Sequence, residues 1–262
     1  MNQSNDKREM ALITGASSGI GAALARNLAA RGYDLVLTAR REDRLQALKT
    51  ELAATGRRIE VIPEDLGAPG GAESLIRRIE ALGLTITFLA NNAGFGIHGN
   101  FVDHTPERIA QMLQLNIFAL TTLTWHFARA MRSRGHGRIL QVGSIGAYQP
   151  TPYYAPYAAT KAYVLLFSEA LNYELRGTGV TCTTINPGVT DTEFHDVAEH
   201  PKTGLAGMTR MSAESVAGIG INAALRGQAV VTPGLLNKLT ALMTKLIPRS
   251  VATYFAGMLM RD

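Results

Sequence analysis

The sequence contains a single cysteine, Cys182, so no disulfide bond can form within the chain. Such low cysteine use is typical of a reducing compartment, and we expect the protein in the cytoplasm. No stretch of about 18 apolar residues occurs, so no transmembrane helix is predicted. The first residues, MNQSNDKREM, are polar and predict a flexible segment over 1–8 rather than a secretory signal.

Charged residues are also scarce, at 18% of the chain, whereas hydrophobic residues reach 46%. This balance excludes an intrinsically disordered chain and is ordinary for a globular one. The net charge of +5 favours an anionic cofactor. No cluster of Lys and Arg with interleaved aromatics is present, so no nucleic-acid partner is expected. No cluster of metal-ligating residues is visible, and no metal is expected.

Short apolar runs alternate with longer helical patterns along the chain. Most runs are continuously apolar, which is typical of strands covered on both faces. The pattern predicts an α/β fold, a doubly wound parallel sheet with helices on both faces, in a single domain over residues 1–262. Strands are expected at 11–14, 35–39, 59–63, 88–91, 139–142, 180–185 and 229–232, and helices at 21–31, 41–55, 72–82, 106–134 and 157–176. Thr105 and Pro106 are the expected N-cap and first residue of the fourth helix.

A glycine-rich turn, TGASSGIG, joins the first predicted strand to the first helix. Glycines let the backbone approach a pyrophosphate, and the helix N-terminus supplies free N–H groups and a partial positive charge. The spacing G-x-x-x-G-x-G differs from the common G-x-G-x-x-G fingerprint, but the strand–turn–helix context is that of a dinucleotide site. Its predicted residues are Gly15, Ser17, Ser18, Gly19, Ile20 and Gly21.

The same turn also matches G-x-S-x-G, the nucleophile elbow of α/β-hydrolases. Under that alternative Ser17 is a nucleophile, with Asp191 and His195 as its partners. The hydrolase elbow usually follows several strands, whereas this turn follows the first. A hydrolase is therefore the less favoured hypothesis.

The second predicted strand ends in TARR, without the carboxylate that binds a ribose 2′-hydroxyl in NAD enzymes. A guanidinium can bind a 2′-phosphate instead, so NADP(H) is the predicted cofactor. Arg40 is the expected ligand, with a hydroxyl bond from Ser17, while Arg41 begins a solvated helix face. Asp65 and Leu66 follow the third strand, where an adenine ring would lie.

Tyr157 and Lys161 share one helical face, because they are four residues apart in YAATK. A positive charge at ~4 Å is worth ~4 kcal/mol at an effective dielectric of about 20, or roughly three pKa units. We expect the lysine, helped by an oxidised nicotinamide, to bring the tyrosine pKa from about 10 towards neutrality. Ser144, after the fifth strand, can hydrogen-bond a substrate oxygen.

Other polar or turn-forming residues fall at the same carboxyl edge of the predicted sheet, where ligands bind. Asn116 lies inside a long apolar helix and is either a functional amide or a satisfied core amide. The remaining edge residues are Asn92, Ala93, Gly94, Pro187, Gly188, Thr190 and Thr192.

These motifs together, TGASSGIG, NNAG, Asn116, Ser144, YAATK and NPGVTDT, resemble the short-chain dehydrogenase/reductase family over about residues 8–192. The resemblance implies a Rossmann fold and hydride transfer between NADP(H) and a carbonyl or alcohol. It implies that Tyr157 exchanges the proton with the substrate oxygen and that Lys161 lowers its pKa and holds the nicotinamide ribose. Ser144 would orient the carbonyl, and Asn116 would help hold a water-linked proton path.

The resemblance also covers the cofactor and the assembly. It implies that Asn92 and Gly94 line the adenosine side and that backbone near Pro187, Gly188, Thr190 and Thr192 holds the carboxamide and pyrophosphate; Thr190 stands where an aliphatic residue is common. A basic residue at the position of Arg40 implies NADP(H). Helices 106–134 and 157–176 are apolar over more than one face, and related enzymes pair through them, so a homodimer or homotetramer is expected. A non-catalytic NADP(H) sensor is the alternative, although such a protein needs no tyrosine–lysine pair.

Two segments are expected to select an apolar carbonyl or alcohol substrate. Residues 95–99, with His98, follow the fourth strand, and residues 192–211, with His195, form a predicted lid rich in Gly and Met. The end of the chain resembles ketoacyl reductase-like and hydroxysteroid dehydrogenase-like members only weakly. Residues 234–262 form a basic amphipathic extension that we expect to pack on the domain or a partner subunit, with peripheral contact to a membrane surface as the alternative.

Overall fold

The computed structural model describes residues 9–191 and 210–261, which contain a seven-stranded parallel sheet. Its order is β3-β2-β1-β4-β5-β6-β7, with the reversal between β1 and β4 that defines a doubly wound sheet. The predicted fold class is thereby confirmed. The strands are β1 (Met10–Thr14), β2 (Asp34–Thr38), β3 (Ile59–Val61), β4 (Phe88–Asn91), β5 (Gly137–Val142), β6 (Val180–Ile185) and β7 (Val230–Val231).

Helices cover both faces of this sheet. Leu12 and Ile13 are adjacent in β1 and both fully buried, yet they belong to different cores on opposite faces. Central strands that are buried on both sides therefore read as continuous apolar runs. The helices are α1 (Gly19–Ala30), α2 (Glu42–Leu52), α3 (Gly71–Ala81), α4 (Pro106–Leu113), α5 (Leu120–Arg134), α6 (Ala155–Glu174), α7 (Ala213–Leu225), α8 (Leu235–Leu246) and α9 (Arg249–Met260). Helices α1, α2 and α7 cover one face, and α3 and α5 the other.

Two predicted helices differ from the structure. The single helix expected over 106–134 is interrupted by a π-helical turn, Gln114–Ala119, between α4 and α5. The tail is broken into α8 and α9 at Pro248, whose fixed φ and missing N–H end a helix. The predicted N-cap of α4 is confirmed, because the Thr105 side chain accepts a hydrogen bond from the Arg108 backbone N–H.

Within residues 9–191 and 210–261, no helix is long and apolar enough to cross a membrane. The predicted lid lies outside the described residues except for Arg210 and Met211, and so do Thr192 and His195. Met211 forms an isolated parallel bridge with Thr190, which places the end of this segment beside the loop after β6.

Candidate active site

A cleft of about 490 Å³ lies at the carboxyl edge of the sheet. This volume is that of a typical small-molecule site. The cleft begins at the glycine turn, passes the ends of β2, β3 and β4, and reaches the start of α6. From the predicted set, it is lined by Gly15, Ser17, Ser18, Gly19, Ile20, Arg40, Asp65, Leu66, Asn92, Ala93, Gly94, Ser144, Tyr157, Lys161, Pro187, Gly188 and Thr190.

The glycine turn is held in place by residues from the end of β4. The Asn92 side-chain amide donates to the carbonyls of Thr14 (2.9 Å) and Gly15 (3.2 Å). The Thr14 hydroxyl accepts from the backbone N–H groups of Asn92 and Ala93, each at 2.9 Å. Asn92 thus shapes the turn with its side chain, and Thr14 is a positioning residue that the sequence prediction missed. A polar residue at the end of an apolar strand was the available signal.

The two arginines after β2 lie in different surroundings, and the predicted role of Arg40 as a ligand of the 2′-phosphate stays a prediction. Arg40 is exposed, although it lines the cleft. Arg41 is half-buried, and its guanidinium donates to the hydroxyls of Ser17 (3.1 Å) and Ser18 (2.9 Å). The prediction that Arg41 begins a solvated face is wrong, because the side chain turns back over the glycine turn instead of into water.

This contact also bears on the hydrolase alternative. A nucleophilic serine needs a neighbouring base, but the Ser17 hydroxyl accepts hydrogen bonds from a guanidinium. Asp191, the other described member of the alternative triad, pairs with Arg210 at 3.1 Å. The geometry around Ser17 therefore fits anion binding rather than nucleophilic attack.

Tyr157 and Ser144 face the same part of the cleft and are hydrogen-bonded to each other. The Ser144 oxygen also accepts from the Gly146 backbone N–H at 3.1 Å, which fixes the hydroxyl at the end of β5. Burial raises the pKa of Tyr157 to about 12, and the Ser144 hydrogen bond opposes this shift. In the protein chain by itself, desolvation outweighs the Ser144 hydrogen bond. The expectation that Lys161 and an oxidised nicotinamide together bring this pKa towards neutrality stays a prediction.

Lys161 lies on the same face of α6 as Tyr157, as its spacing predicts. Its Nζ is 5.8 Å from the centre of the Tyr157 ring and donates to the Val142 carbonyl at 2.8 Å. Burial lowers the pKa of Lys161 to about 8. Gly94 lies beside this group: a Cβ at that position would be in ordinary contact with Nζ at 3.5 Å but tightly placed against the Asn116 side-chain oxygen at 3.0 Å.

Asn116 lies in the π-helical turn and is fully buried. Its side-chain amide donates to the Phe95 carbonyl (3.0 Å) and the Thr160 hydroxyl (3.1 Å), and its oxygen accepts from the Phe95 N–H (3.2 Å). The amide is therefore satisfied and connects the loop after β4 to α6. A role of Asn116 in a proton path stays a prediction, at a position that touches the helix of Tyr157 and Lys161.

The loop after β6 forms the opposite wall of the cleft. Asn186, which was not predicted, is fully buried; its side-chain oxygen accepts from the Ser144 backbone N–H at 3.2 Å. Thr190 is buried and donates to the Gly188 carbonyl at 3.1 Å. On the far side, the Asp65 carboxylate accepts from the Gly67 N–H at 2.9 Å, which orders the loop after β3.

Beyond Ser144, the cleft is lined by residues that the sequence did not single out. They come from the segment before α6 and from the two C-terminal helices, and they include Gln149, Thr151, Tyr154, Thr240 and Met260. His98 does not stand in solvent as a lone loop histidine, since its Nε2 lies 3.0 Å from the Met260 carbonyl oxygen. No group of three or more metal-ligating side chains occurs among the described residues.

Comparison with known proteins identifies the family. Residues 9–203 match the family model of short chain dehydrogenases. The chain is 33% identical over 190 residues to 3-oxoacyl-acyl-carrier-protein reductase FabG of Escherichia coli, covering 72% of this chain and 77% of that protein. It is 32% identical over 212 residues to 7beta-hydroxysteroid dehydrogenase of Clostridium sardiniense, covering 79% and 80%.

Solved structures agree with this assignment. A short-chain dehydrogenase from Sphingobium yanoikuyae, in complex with NADPH, matches with a TM-score of 0.81 and 34% identity, covering 91% of this chain and 94% of that one. The family match extends over the glycine turn, the end of β4, Ser144 and the start of α6, which together line the cleft. The chain belongs to the short chain dehydrogenase family and is an oxidoreductase.

Proposed function

We propose that the protein transfers a hydride between NADP(H) and a carbonyl or alcohol, with Tyr157 as the acid–base group. The observation that carries the proposal is the convergence of Ser144, Tyr157 and Lys161 at one end of a cleft whose other end is a glycine turn. Proton exchange with a substrate oxygen needs a positioned hydroxyl. Tyr157 is half-buried, lines the cleft and is hydrogen-bonded to Ser144.

The residues at the turn fit a phosphorylated dinucleotide. The first helix begins at Gly19, where the N–H groups of α1 favour a pyrophosphate. The cations of Arg40 and Arg41 flank the same end of the cleft, next to the hydroxyls of Ser17 and Ser18. Cationic and hydroxyl donors fit a 2′-phosphate. The Glu64 carboxylate also lines the cleft, but it accepts a hydrogen bond from the Ser74 hydroxyl at 2.6 Å and lies 3.5 Å from the Arg78 guanidinium. When bound, the nicotinamide supplies or accepts the hydride.

The chain's own residues divide the remaining work in the direction of reduction. Ser144 donates a hydrogen bond to the substrate oxygen and holds it beside Tyr157. Tyr157 gives its proton to that oxygen as negative charge develops there. With a pKa of about 12 the phenol is protonated at neutral pH, as a general acid must be. Lys161 places a positive charge near the site and, by its bond to the Val142 carbonyl, fixes the end of β5 that carries Ser144.

The substrate end of the cleft favours an apolar substrate with few polar groups. Among the residues that line it are Ile145, Tyr154, Val189 and Met260, and Gln149 and Thr151 add polar atoms. Ligand sites of this type bury an apolar body and orient it with a small number of polar contacts. The substrate class we propose is therefore a ketone, aldehyde or secondary alcohol on an apolar body.

The test is NADPH oxidation with a panel of apolar ketones and aldehydes. Tyr157→Phe should lose at least ~100-fold in turnover, the usual scale for one acid–base group. The matched control is Tyr163→Phe on the same helix, where the hydroxyl bonds Thr121 at 2.9 Å outside the cleft and turnover should persist. A Tyr157→Phe variant as active as the parent would overturn the mechanism. Tight cofactor binding with no turnover of any compound would overturn the enzymatic assignment in favour of a sensor.

A further inference from the structure

The two C-terminal helices direct their large apolar side chains away from the domain. The residues that α8 and α9 bury are small or polar, namely Asn237, Ala241, Ala252 and Ala256. Their large hydrophobic residues are exposed instead. We call these residues the C-terminal apolar surface: Leu235, Leu236, Leu239, Leu242, Met243, Leu246, Val251, Tyr254, Phe255, Met258 and Leu259.

This arrangement is the reverse of an ordinary surface helix, which turns its large apolar residues to the core. Leu235 is 86% exposed and Leu246 69%, so the domain itself covers little of either side chain. The expectation that the extension packs its apolar face on the domain is therefore wrong, whereas packing on a partner subunit stays a prediction. Exposed apolar areas of this extent mark a site for another protein or a membrane.

The charges among these residues are all of one sign. Lys238, Lys245, Arg249 and Arg261 are exposed, and no Asp or Glu occurs between Leu235 and Arg261. A second copy of the same surface would bring cations against cations, which disfavours self-association. Lys and Arg beside exposed Leu, Phe and Met match an anionic bilayer surface, where cations meet lipid phosphates and apolar side chains enter the acyl boundary.

The helices are attached to the catalytic domain at specific points. The buried Asn237 amide donates to the Pro233 carbonyl at 2.8 Å and lies against Gly188 at the cleft. At the other end, the Met260 carbonyl lies 3.0 Å from His98 Nε2. Thr240 and Met260 also line the cleft. The C-terminal apolar surface is therefore carried on the wall of the cleft rather than on a separate tail.

We propose that the C-terminal apolar surface docks the protein on an anionic phospholipid bilayer, with α8 and α9 lying in the interface. Neither helix spans the bilayer, since each has 12 residues and a span needs about 20. The proposal does not depend on the reaction that the cleft catalyses. It adds that the cleft wall is held at the lipid surface, where apolar compounds concentrate.

The experiment is co-sedimentation of the full chain with phosphatidylcholine vesicles that contain phosphatidylglycerol, compared with vesicles of phosphatidylcholine alone. Binding should be strong to the anionic vesicles and fall as salt rises. The double variant Leu242→Ser and Leu246→Ser should lose at least about tenfold in binding. Lys238→Gln with Lys245→Gln should lose about fivefold per cation on anionic vesicles only.

Matched controls lie elsewhere on the surface. Leu82→Ser and Lys49→Gln change exposed residues of the same kinds away from α8 and α9, and should bind vesicles like the parent. The double variant Leu242→Ser and Leu246→Ser should keep the turnover of a small water-soluble carbonyl and the melting temperature of the parent. These two measurements establish that the variant is folded. Equal sedimentation of the parent with and without anionic lipid would overturn the proposal. So would dissociation of an oligomer in that variant, since a second copy would then be the occupant.

Discussion

The side-chain oxygen of Asn186 accepts a hydrogen bond from the backbone N–H of Ser144 at 3.2 Å, across the ends of two neighbouring strands. Asn186 is fully buried, and its amide nitrogen donates to the Tyr148 hydroxyl at 3.1 Å. Gly143 leaves the space that the Asn186 side chain fills. Asn186 therefore fixes the backbone from which the Ser144 hydroxyl reaches Tyr157.

The first prediction is that Asn186 acts as a positioning residue. Asn186→Ala removes the acceptor for Ser144, and one neutral hydrogen bond of about 1.4 kcal/mol corresponds to roughly a tenfold fall in kcat. The KM for NADPH should change little, because the glycine turn is distant in the cleft. Tyr148→Phe keeps the Asn186–Ser144 bond and should cost less. Steady-state kinetics that show an unchanged kcat for Asn186→Ala would contradict this role.

The pH dependence of reduction should report Lys161. Burial lowers the pKa of Lys161 to about 8, whereas Tyr157 stays protonated to about pH 12. As pH rises through about 8 the lysine loses its charge, so kcat/KM for reduction should fall there. Lys161→Arg keeps the charge at all these pH values and should remove that descending limb, even if its activity is lower throughout. If kcat/KM of the Lys161→Arg variant also falls at about pH 8, the group that titrates there is not Lys161.

The burial of the charged Lys161 side chain should also lower the free energy of unfolding. Its pKa falls from 10.5 to about 8 on folding, so the unfolded chain binds the proton more tightly and the burial cost is fully present below about pH 8. That cost is about 3 kcal/mol, offset by about 1 kcal/mol from the Val142 hydrogen bond. The free energy of unfolding of Lys161→Met should therefore be about 2 kcal/mol higher than that of the parent at pH 7. The gain should shrink between about pH 8 and pH 10.5 and be absent above that range, where the lysine is neutral in both states.

Urea unfolding at pH 7 and at several higher pH values, followed by circular dichroism, measures this difference directly. Lys49→Met is the matched control, since Lys49 is exposed on α2 and its replacement should change stability little at any pH. A Lys161→Met variant that is less stable than the parent at pH 7 would mean that the Val142 contact outweighs burial.

The sheet could be predicted from the sequence because its strands are short, apolar runs separated by glycine-rich turns, and each face of a parallel sheet needs apolar cover. Many residues that line the cleft could also be predicted, because they lie directly after the carboxyl ends of these strands. Interactions between side chains from distant parts of the chain could not be predicted. Arg41 turns back to Ser17 and Ser18, and Asn92 holds the turn, only because β1, β2 and β4 lie side by side.

The C-terminal extension was the least predictable part. Its helical spacing is visible in the sequence, but spacing alone does not say which face meets the domain. The structure buries Asn237 and Ala241 in α8 and leaves Leu239 and Leu242 outside, so the amphipathic pattern is oriented opposite to the usual rule. The π-helical turn around Asn116 was missed too, because a one-residue change in helical hydrogen bonding leaves no clear periodic signal.

Assembly is expected to use α5 and α6. Phe118 and Trp125 are seven residues apart and exposed, and so are Leu166 and Tyr173 on α6. Each pair forms an apolar stripe that the domain does not cover. Light scattering at micromolar concentration should show a homodimer or homotetramer, and Trp125→Glu with Leu166→Glu should shift it towards the monomer. A Val102→Glu control changes an exposed apolar residue away from both helices and should not. A monomeric parent protein would refute the expectation.

The last prediction separates the two arginines at the cofactor end of the cleft. Arg41 contacts Ser17 and Ser18, whereas Arg40 is exposed, so Arg41 should contribute more to a preference for NADPH over NADH. A charge-assisted hydrogen bond is worth ~1.5–3 kcal/mol. Arg41→Ala should therefore reduce the ratio of kcat/KM values for NADPH and NADH by roughly 10- to 100-fold, since 1.4 kcal/mol is about a factor of ten.

Arg40→Ala is the matched control and should reduce the ratio less, because solvent screens its charge. Turnover with saturating NADH should be unchanged in both variants, because neither residue touches Tyr157. A larger fall in this ratio for Arg40→Ala than for Arg41→Ala would show that Arg40 is the main ligand of the 2′-phosphate. Equal kcat/KM values for NADH and NADPH in the parent would show that neither arginine binds a 2′-phosphate.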